Sequence, residues 1–247
     1  TSTKDMVACV HGHEKSCHST IGNFNTEIGL PLTVLSAPDD VDALVLEMGM
    51  RGPGQIAELV RIAEPNIGVI TNIGSAHIEL LGTRDAIATA KTELFRGLSP
   101  DATAVYSDAI DFKSVVDASA AHCRRFIVGE SEACDLIVSD VQLGRLETTF
   151  HLTHKGESVR AVVASPARFA AINGALAVAT GLAAGMTLSS CVTGLANWRP
   201  SEGRMRPRTM ANGAVVLSDA YNAAPEAMLA AISVLADIGS QTSGNTW

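Results

Sequence analysis

Aromatic residues are scarce: two Trp, two Tyr and six Phe in 247 residues. Ala, Val, Leu and Gly must then build the core. Small side chains suit close packing of helix on sheet, so α/β is the leading fold class. Positive charge is scarce too, with 18 Lys and Arg against 26 Asp and Glu, a net charge of −8. No Lys/Arg run could supply the basic surface that nucleic acid requires, and the SEGRMRPR stretch (201–208) is too short to do so. Cys9, Cys17, Cys123, Cys134 and Cys191 form no Cys-x-x-Cys pair. An odd, scattered set fits reduced thiols in a cytoplasmic protein. No signal peptide is visible. The most apolar stretch, AAINGALAVATGLAAGM (170–186), is too short and too weakly apolar to span a bilayer, and predicts a buried helix. There is no initiator Met. The opening, TSTKDMVACV, has small hydroxyl residues, then a charged pair and an apolar run, like the first turns of a helix.

What is present reads as globular. Hydrophobic residues make up 47% and charged residues 18%, enough for a sizeable core, and the length suits about one and a half domains. Strand and helix signals alternate. DALVLEMG (42–49) and NIGVITNIG (66–74) are short β-branched apolar runs ending in Gly, the pattern of buried parallel strands. QIAELVRIAEP (55–65) has helical spacing and a Pro stop, so the three predict a βαβ unit. RDAIATAKTELFRGL (84–98) predicts a further helix with Ile87, Leu94, Phe95 and Leu98 on its apolar side. Between about 125 and 165 short strands follow in series: RFIVGE, CDLIVSDVQL, LETTFHLTH and SVRAVVAS. They suggest an antiparallel or mixed extension of the sheet. Helices are expected at 168–185 and 188–197. The hinge-like RPSEGRMRPR (199–208) is a candidate domain boundary. A strand and loop, AVVLSDAYNAAP (214–225), and a helix, EAMLAAISVLADI (226–238), come next, and GSQTSGNTW (239–247) reads as a polar tail.

Several residues could carry chemistry. Glu47 ends a buried strand and precedes Gly, where open α/β sheets bind ligands and where a hard cation such as Mg²⁺ would find an oxygen. The plainer alternative is a strand-end Glu facing solvent. His77 follows the next strand and reaches the same edge, with Asn72 in that strand; a lone His is more often structural. Lys91, in an Ala-rich helix, reads as a solvated lysine. GNFNTEIGLPLT (22–33) packs Gly22, Asn23, Asn25 and Gly29 together, which permits tight turns and backbone donors near a ligand. An ordinary loop into a strand fits equally. His11, His13, Cys17 and His18 match no closed zinc pattern and read as a polar helix end and loop.

TSTKDM, GNFNTEIGLPLT, LVLEMGMRGPGQI, ITNIGSAHIELLG, AKTELF, GRM and SDAYNAAP occur in this order along the chain. Together they resemble the Mur ligase family, from residue 1 to about 238, and in particular its branch that adds D-Ala-D-Ala to a muropeptide precursor. The resemblance implies an α/β, P-loop NTPase-like central domain: a mostly parallel sheet flanked by helices, with a small antiparallel extension. That domain would span 1–203, and 204–247 would begin a Rossmann-like C-terminal domain. Thr1 matches the hydroxyl residue that ends the phosphate loop. The chain thus looks like a fragment cut inside that loop, without its Gly-Lys and without the uridine-nucleotide domain.

The implied reaction is ATP-dependent amide formation through an acyl phosphate, joining D-Ala-D-Ala to UDP-MurNAc-tripeptide with Mg²⁺ as cofactor. Partners would be these small molecules, with no nucleic acid and no membrane insertion, and the protein would be a cytoplasmic monomer. Glu47, His77 and Lys91 match the catalytic and metal-binding positions, Lys91 as a carbamylated ligand, and Thr1 would join them on the metal. Thr1, Asn173, Arg204 and Asp219 match nucleotide-binding positions. Asn23, Asn25, Tyr221 and Asn222 match the substrate side. Two departures stand out. The family's Gly-Arg-His-Asn run reads ARFA at 167–170, and Tyr-Asn-Ala-Asn-Pro reads YNAAP with Ala224 in place of an amide. Sister ligases resembling cyanophycin synthetase or folylpolyglutamate synthase are the alternative enzymes, and an inert or weakly nucleotide-binding fragment is the non-enzymatic one. The missing lysine implies that this chain has no ligase turnover by itself.

Overall fold

The opening segment is a helix, as its pattern predicts: α1 spans Ser2–His11 and buries Met6, Val7 and Val10 along one side. The structure, a computed structural model, describes residues 1–240. Thr1 occupies the N-cap position but its side chain makes no cap bond to the helix. β1 (Cys17–Ser19) is the next element. GNFNTEIGLPLT then runs into a helix, α2 (Gly29–Leu35), rather than into a strand. Pro31 is tolerated in a first helical turn, where its missing N–H has no partner to lose. Gly29, Leu30 and Thr33 are its buried residues. β2 (Ala43–Val45) lies parallel to β1, with Cys17 opposite Ala43 and Ser19 opposite Val45.

α3 (Gln55–Ala63) and β3 (Ile67–Ile70) complete the predicted strand–helix–strand order. The pairing differs from a simple βαβ unit. β2 and β3 belong to separate sheets, and a cleft of about 830 Å³ is lined by both. A helical crossover can step over a strand position, and side-chain pattern carries no record of which edge neighbours which.

After α4 (Ile78–Leu81), the helix predicted over 84–98 is two: α5 (Arg84–Lys91) and α6 (Glu93–Arg96). Thr92 causes the break. Its Oγ1 donates to Ala88 O at 2.8 Å, and such back-bonding bends a helix. Thr83 caps α5 by accepting from Ala86 N at 3.1 Å. Glu93 caps a different helix: its carboxylate accepts from Gly54 N at 2.7 Å and Ala57 N at 3.1 Å, at the start of α3. There it satisfies donors that no residue of α3 reaches.

β4 (Thr103–Ser107), α7 (Lys113–Ser119), β5 (Arg124–Gly129), β6 (Leu136–Leu143), β7 (Thr148–His154) and β8 (Glu157–Val163) follow. The sheet order is β3-β4-β5-β6-β7-β8, parallel from β3 to β6 and antiparallel through β7 and β8. The strands after residue 125 are therefore the mixed extension that their texture predicts. All five residues of β4 are buried, because helices cover both faces of the sheet there. Val105 belongs to the core beneath α1, α8 (Arg168–Ala183) and α9 (Leu188–Ala196). Its neighbours Ala104 and Tyr106 point the other way, into a second core with Ile56, Phe95 and Val116. Strand alternation thus divides the apolar residues into two layers.

The Ala/Gly-rich stretch is the predicted buried helix, α8. Small residues let it approach its neighbours: a Cβ on Gly181 would lie 2.5 Å from Cys191 Sγ and 2.9 Å from Val10 Cγ1. Burial of Leu176 or Leu152, neither with any exposed surface, stabilises by roughly 1.5–3 kcal/mol each. The second half of the predicted hinge is a strand, β9 (Arg206–Thr209), antiparallel to β10 (Val215–Ser218). α10 (Pro225–Ser240) buries Val234 and Ile238 against the core of α1 and α8. Gly239 and Ser240, which the sequence assigns to a polar tail, close this helix; 241–247 lie outside the described residues. No helix among the described residues is long and apolar enough to cross a membrane. All five cysteines are free.

Candidate active site

Glu47 stands just past β2 and is the centre of a polar cluster. Its N–H donates to Thr20 Oγ1 at 3.0 Å, which fixes the backbone. Its Oε1 accepts from Asn25 Nδ2 at 3.0 Å and from Thr1 Oγ1 at 3.1 Å. Arg204 Nη2 in turn donates to Thr1 Oγ1 at 2.9 Å. Thr1 therefore spends its hydroxyl on Glu47 and not on α1. The α-amino group of Thr1 lies 3.4 Å from Glu47 Oε2. Burial pushes that amine below its ordinary pKa, with Glu47 acting in the opposite direction. Oε2 is buried and has no hydrogen-bond partner.

Asn25 reaches Glu47 because Gly49 makes room. Gly49 N donates to Asn25 O at 2.7 Å, and a Cβ on Gly49 would come within 2.9 Å of Asn25 Oδ1. The hinge is held from the far side. The Arg204 guanidinium lies over the Tyr221 ring, 3.7 Å from its centroid. Tyr221 N donates to Gly203 O at 3.2 Å, with Gly203 at φ +71°. Asp219 Oδ1 accepts from Met205 N at 3.0 Å, and Asn222 Oδ1 from Ala223 N at 2.8 Å.

Lys91, the last residue of α5, lines the same cleft as Thr1 and Glu47. It is not the solvated lysine that its Ala-rich helix suggests. Nζ donates to Asn72 O at 2.8 Å, and burial holds the amine below its usual pKa. Asn72 itself lies beyond the end of β3 and not within it.

Other candidates stand apart. His77 is exposed, takes φ +67° at the start of α4 and does not line the cleft. Asn23 is exposed and Asn173 is half-buried in α8, and neither lines the cleft. Phe169, in the divergent ARFA stretch, is partly exposed in the first turn of α8. His11 Nε2 meets Thr180 Oγ1 at 3.1 Å, and His18 Nε2 meets Ser36 Oγ at 3.3 Å. No group of three His, Cys, Asp or Glu among the described residues is placed to hold a metal.

Sequence reasoning missed supporting residues. Lys4 Nζ donates to Thr20 O at 2.6 Å, so Lys4 braces the residue that fixes Glu47. Glu226, on α10, accepts from Ser75 N at 2.8 Å in the loop after β3. Lys4 was visible within the TSTKDM run; Glu226 carried no local signal.

The site therefore belongs to a class: a carboxylate, a hydroxyl at a helix start and an arginine gathered at the ends of strands in an α/β sheet, the place where such folds handle phosphates and hard cations. Glu47 Oε2, buried and without a hydrogen-bond partner beside the Thr1 hydroxyl, fits an oxygen-preferring ion. Residues 1–181 match the Mur ligase middle domain, and the chain belongs to the Mur ligase family. It is 36% identical over 234 residues to the UDP-N-acetylmuramoyl-tripeptide–D-alanyl-D-alanine ligase of Bacillus subtilis, covering 95% of this chain and 50% of that protein. The enzyme of the same name from Escherichia coli is 31% identical over 242 residues, covering 96% of this chain and 53% of the other. Among solved structures, MurF from Acinetobacter baumannii superposes with a TM-score of 0.92 at 28% identity, covering 100% of this chain and 53% of that one. MurF of Thermotoga maritima in complex with ADP gives 0.84 at 29%, covering 95% and 54%. The chain spans about half the length of the curated relatives it matches.

Proposed function

We propose that this chain carries the nucleotide- and metal-handling part of a ligase that joins D-Ala-D-Ala to UDP-MurNAc-tripeptide at the expense of ATP, in the cytoplasm. In this reading residues 1–203 are the central domain and 204–247 open the C-terminal one. The observation that carries it is the bonded set Asn25–Glu47–Thr1–Arg204, with one buried carboxylate oxygen that accepts no hydrogen bond. The relatives support the same assignment.

Each residue then has a task. Glu47 Oε2 and the Thr1 hydroxyl would hold Mg²⁺, which would neutralise phosphate charge. Arg204 shares the Thr1 hydroxyl and presents its remaining N–H groups to phosphate oxygens. Asn25 fixes the Glu47 rotamer and so ties the substrate-side loop to the metal position. Lys91, kept neutral more readily by burial, adds its Nζ to CO₂ and releases a proton. The product is a carbamate, an anionic oxygen ligand in place of a cation. Asp219 would contact the nucleotide ribose, with Tyr221 and Asn222 beside it on the substrate side.

The test is binding of ADP to the chain by equilibrium dialysis, with and without Mg²⁺. Mg²⁺-dependent binding that Glu47→Gln weakens at least about tenfold, the loss of one charged ligand contact, is the expected result. Binding that ignores both Mg²⁺ and Glu47 overturns the assignment. Intact mass spectrometry under CO₂ reads the carbamate on Lys91. A substrate panel on the full-length parent enzyme separates the branches: phosphate release with glutamate acceptors but not with D-Ala-D-Ala assigns a sister ligase instead.

A further inference from the structure

The loop between β3 and α4, residues 71–77, is largely exposed, yet charged side chains hold its backbone at three points. Lys91 Nζ donates to Asn72 O at 2.8 Å. Arg84 Nη2 donates to Ile73 O at 2.9 Å. Ser75 N donates to Glu226 Oε1 at 2.8 Å. Hydrogen bonds with one ionised partner are the stronger ones. Between these grips the Ile73 side chain is buried in the core that holds Ile56 and Ile87. Arg84 is itself paired with Asp111 and lies over the Phe112 ring, 5.3 Å from its centroid.

The grips differ in origin. Arg84 and Lys91 are the first and last residues of α5, which packs on the same core as the loop. Glu226 comes from the first turn of α10, beyond the hinge, so its bond ties α10 to the loop. What the loop delivers is His77, at φ +67°. A non-glycine residue in the left-handed region is uncommon and persists where its surroundings over-determine it. On the far side of the bend, the His77 carbonyl accepts from Leu80 N at 3.0 Å and Leu81 N at 3.1 Å. On the near side Ser75 is engaged twice, its amide by Glu226 and its carbonyl by Ile78 N at 3.0 Å. Ser75 is thus the fixed point from which the chain enters His77.

We propose that Glu226 is a positioning residue: it latches α10 to the loop after β3 and so holds His77 in its left-handed conformation. Docking of the segment beyond the hinge and the placement of His77 then become one event. The latch rests on geometry alone; its consequence for turnover rests on the reaction proposed above.

The test uses the full chain, isotope-labelled, with Glu226→Ala and Glu226→Gln read by NMR. In Glu226→Ala the Ser75 amide should exchange about tenfold faster or more, and the His77 Cα and Cβ shifts should move toward those of an unstructured chain. The Val234 amide, in the part of α10 that packs on the core, should keep its rate. Glu226→Gln keeps an acceptor oxygen without the charge and should restore both the protection and the shifts. If the carboxylate merely slowed exchange by repelling hydroxide, Gln would match Ala. In the full-length parent ligase, Glu226→Ala should lower kcat about tenfold with KM for ATP within about twofold, and Gln should recover it. An unmoved Ser75 amide, unmoved His77 shifts, a Gln variant that behaves like Ala, a Val234 amide that speeds in step with Ser75, or an unchanged kcat each overturns the proposal. A parent that turns over no D-Ala-D-Ala even without substitution fails the reaction assigned above, and the NMR readouts then decide the latch by themselves.

Discussion

Consider the removal of the Tyr221 ring. The Arg204 guanidinium carbon lies 3.7 Å from its centroid, and the ring is 56% exposed. A stack that wet contributes roughly 0.5–1 kcal/mol. Arg204 also donates a charge-assisted bond to the half-buried Thr1 hydroxyl, a contribution of about 1.5–3 kcal/mol. Tyr221→Leu should therefore cost roughly 0.5–1 kcal/mol and Arg204→Met roughly 2–4 kcal/mol, the sum of both contacts. The double variant should recover the shared stack, a coupling of about 0.5–1 kcal/mol. Native-state amide exchange at Met205 and Tyr221 is the assay, because their N–H groups bond to Asp219 and Gly203 and report the opening of this hinge alone. Tyr221→Phe should behave as the parent, since the ring face and not the hydroxyl meets the guanidinium. Additive single costs, within about 0.3 kcal/mol, would refute the idea that the ring positions Arg204 on Thr1.

Two further outcomes test the fold. Leu176→Ala, in the middle of α8 with no exposed surface, should cost about 2–5 kcal/mol in chemical denaturation; a cost under about 1 kcal/mol would mean that α8 is not the core helix. His11 is buried and held below its usual pKa, chiefly by desolvation and then by Lys15. Below about pH 6.5 the unfolded chain takes up a proton that the folded chain does not, so stability is flat above that pH and falls as pH drops through it. The fall ends once the folded imidazole protonates. His11→Gln should flatten the profile between pH 7.5 and 5.5, and an unchanged slope would place the acid sensitivity elsewhere.

What could be read from sequence was what repeats locally. The burial of α8 followed from its composition, and the mixed extension followed from short strands in series. The break at Thr92 did not, because Ile87, Leu94 and Leu98 keep to one core on both sides of it, and the bend comes from a hydroxyl bond that periodicity does not register. The edge relation of β2 and β3 did not, because a short apolar strand pattern reads the same whichever strand lies beside it, and β2 is itself only half-buried, with Leu44 exposed. Glu47 stood out through its strand end and the Gly after it. Its bond to Asn25 required knowing that Gly49 draws the loop in. Glu226 was invisible, since its partner Ser75 is 151 residues away.

Thr1 shows most directly why local rules fail at the site. A Thr before a helix should cap it, and here the cap bond is absent. The hydroxyl instead donates to the Glu47 carboxylate and accepts from the Arg204 guanidinium, two bonds to charged groups in place of one to a neutral amide. Charge-assisted bonds are roughly twice as strong as neutral ones, so the long-range pair outcompetes a bond from the hydroxyl to the α1 backbone. Sequences that specify one fold obey their local preferences nearly everywhere, and a departure of this kind concentrates where chemistry is done. The Thr1 hydroxyl, bonded on one side to a carboxylate and on the other to a guanidinium, thus points to the cluster around Glu47.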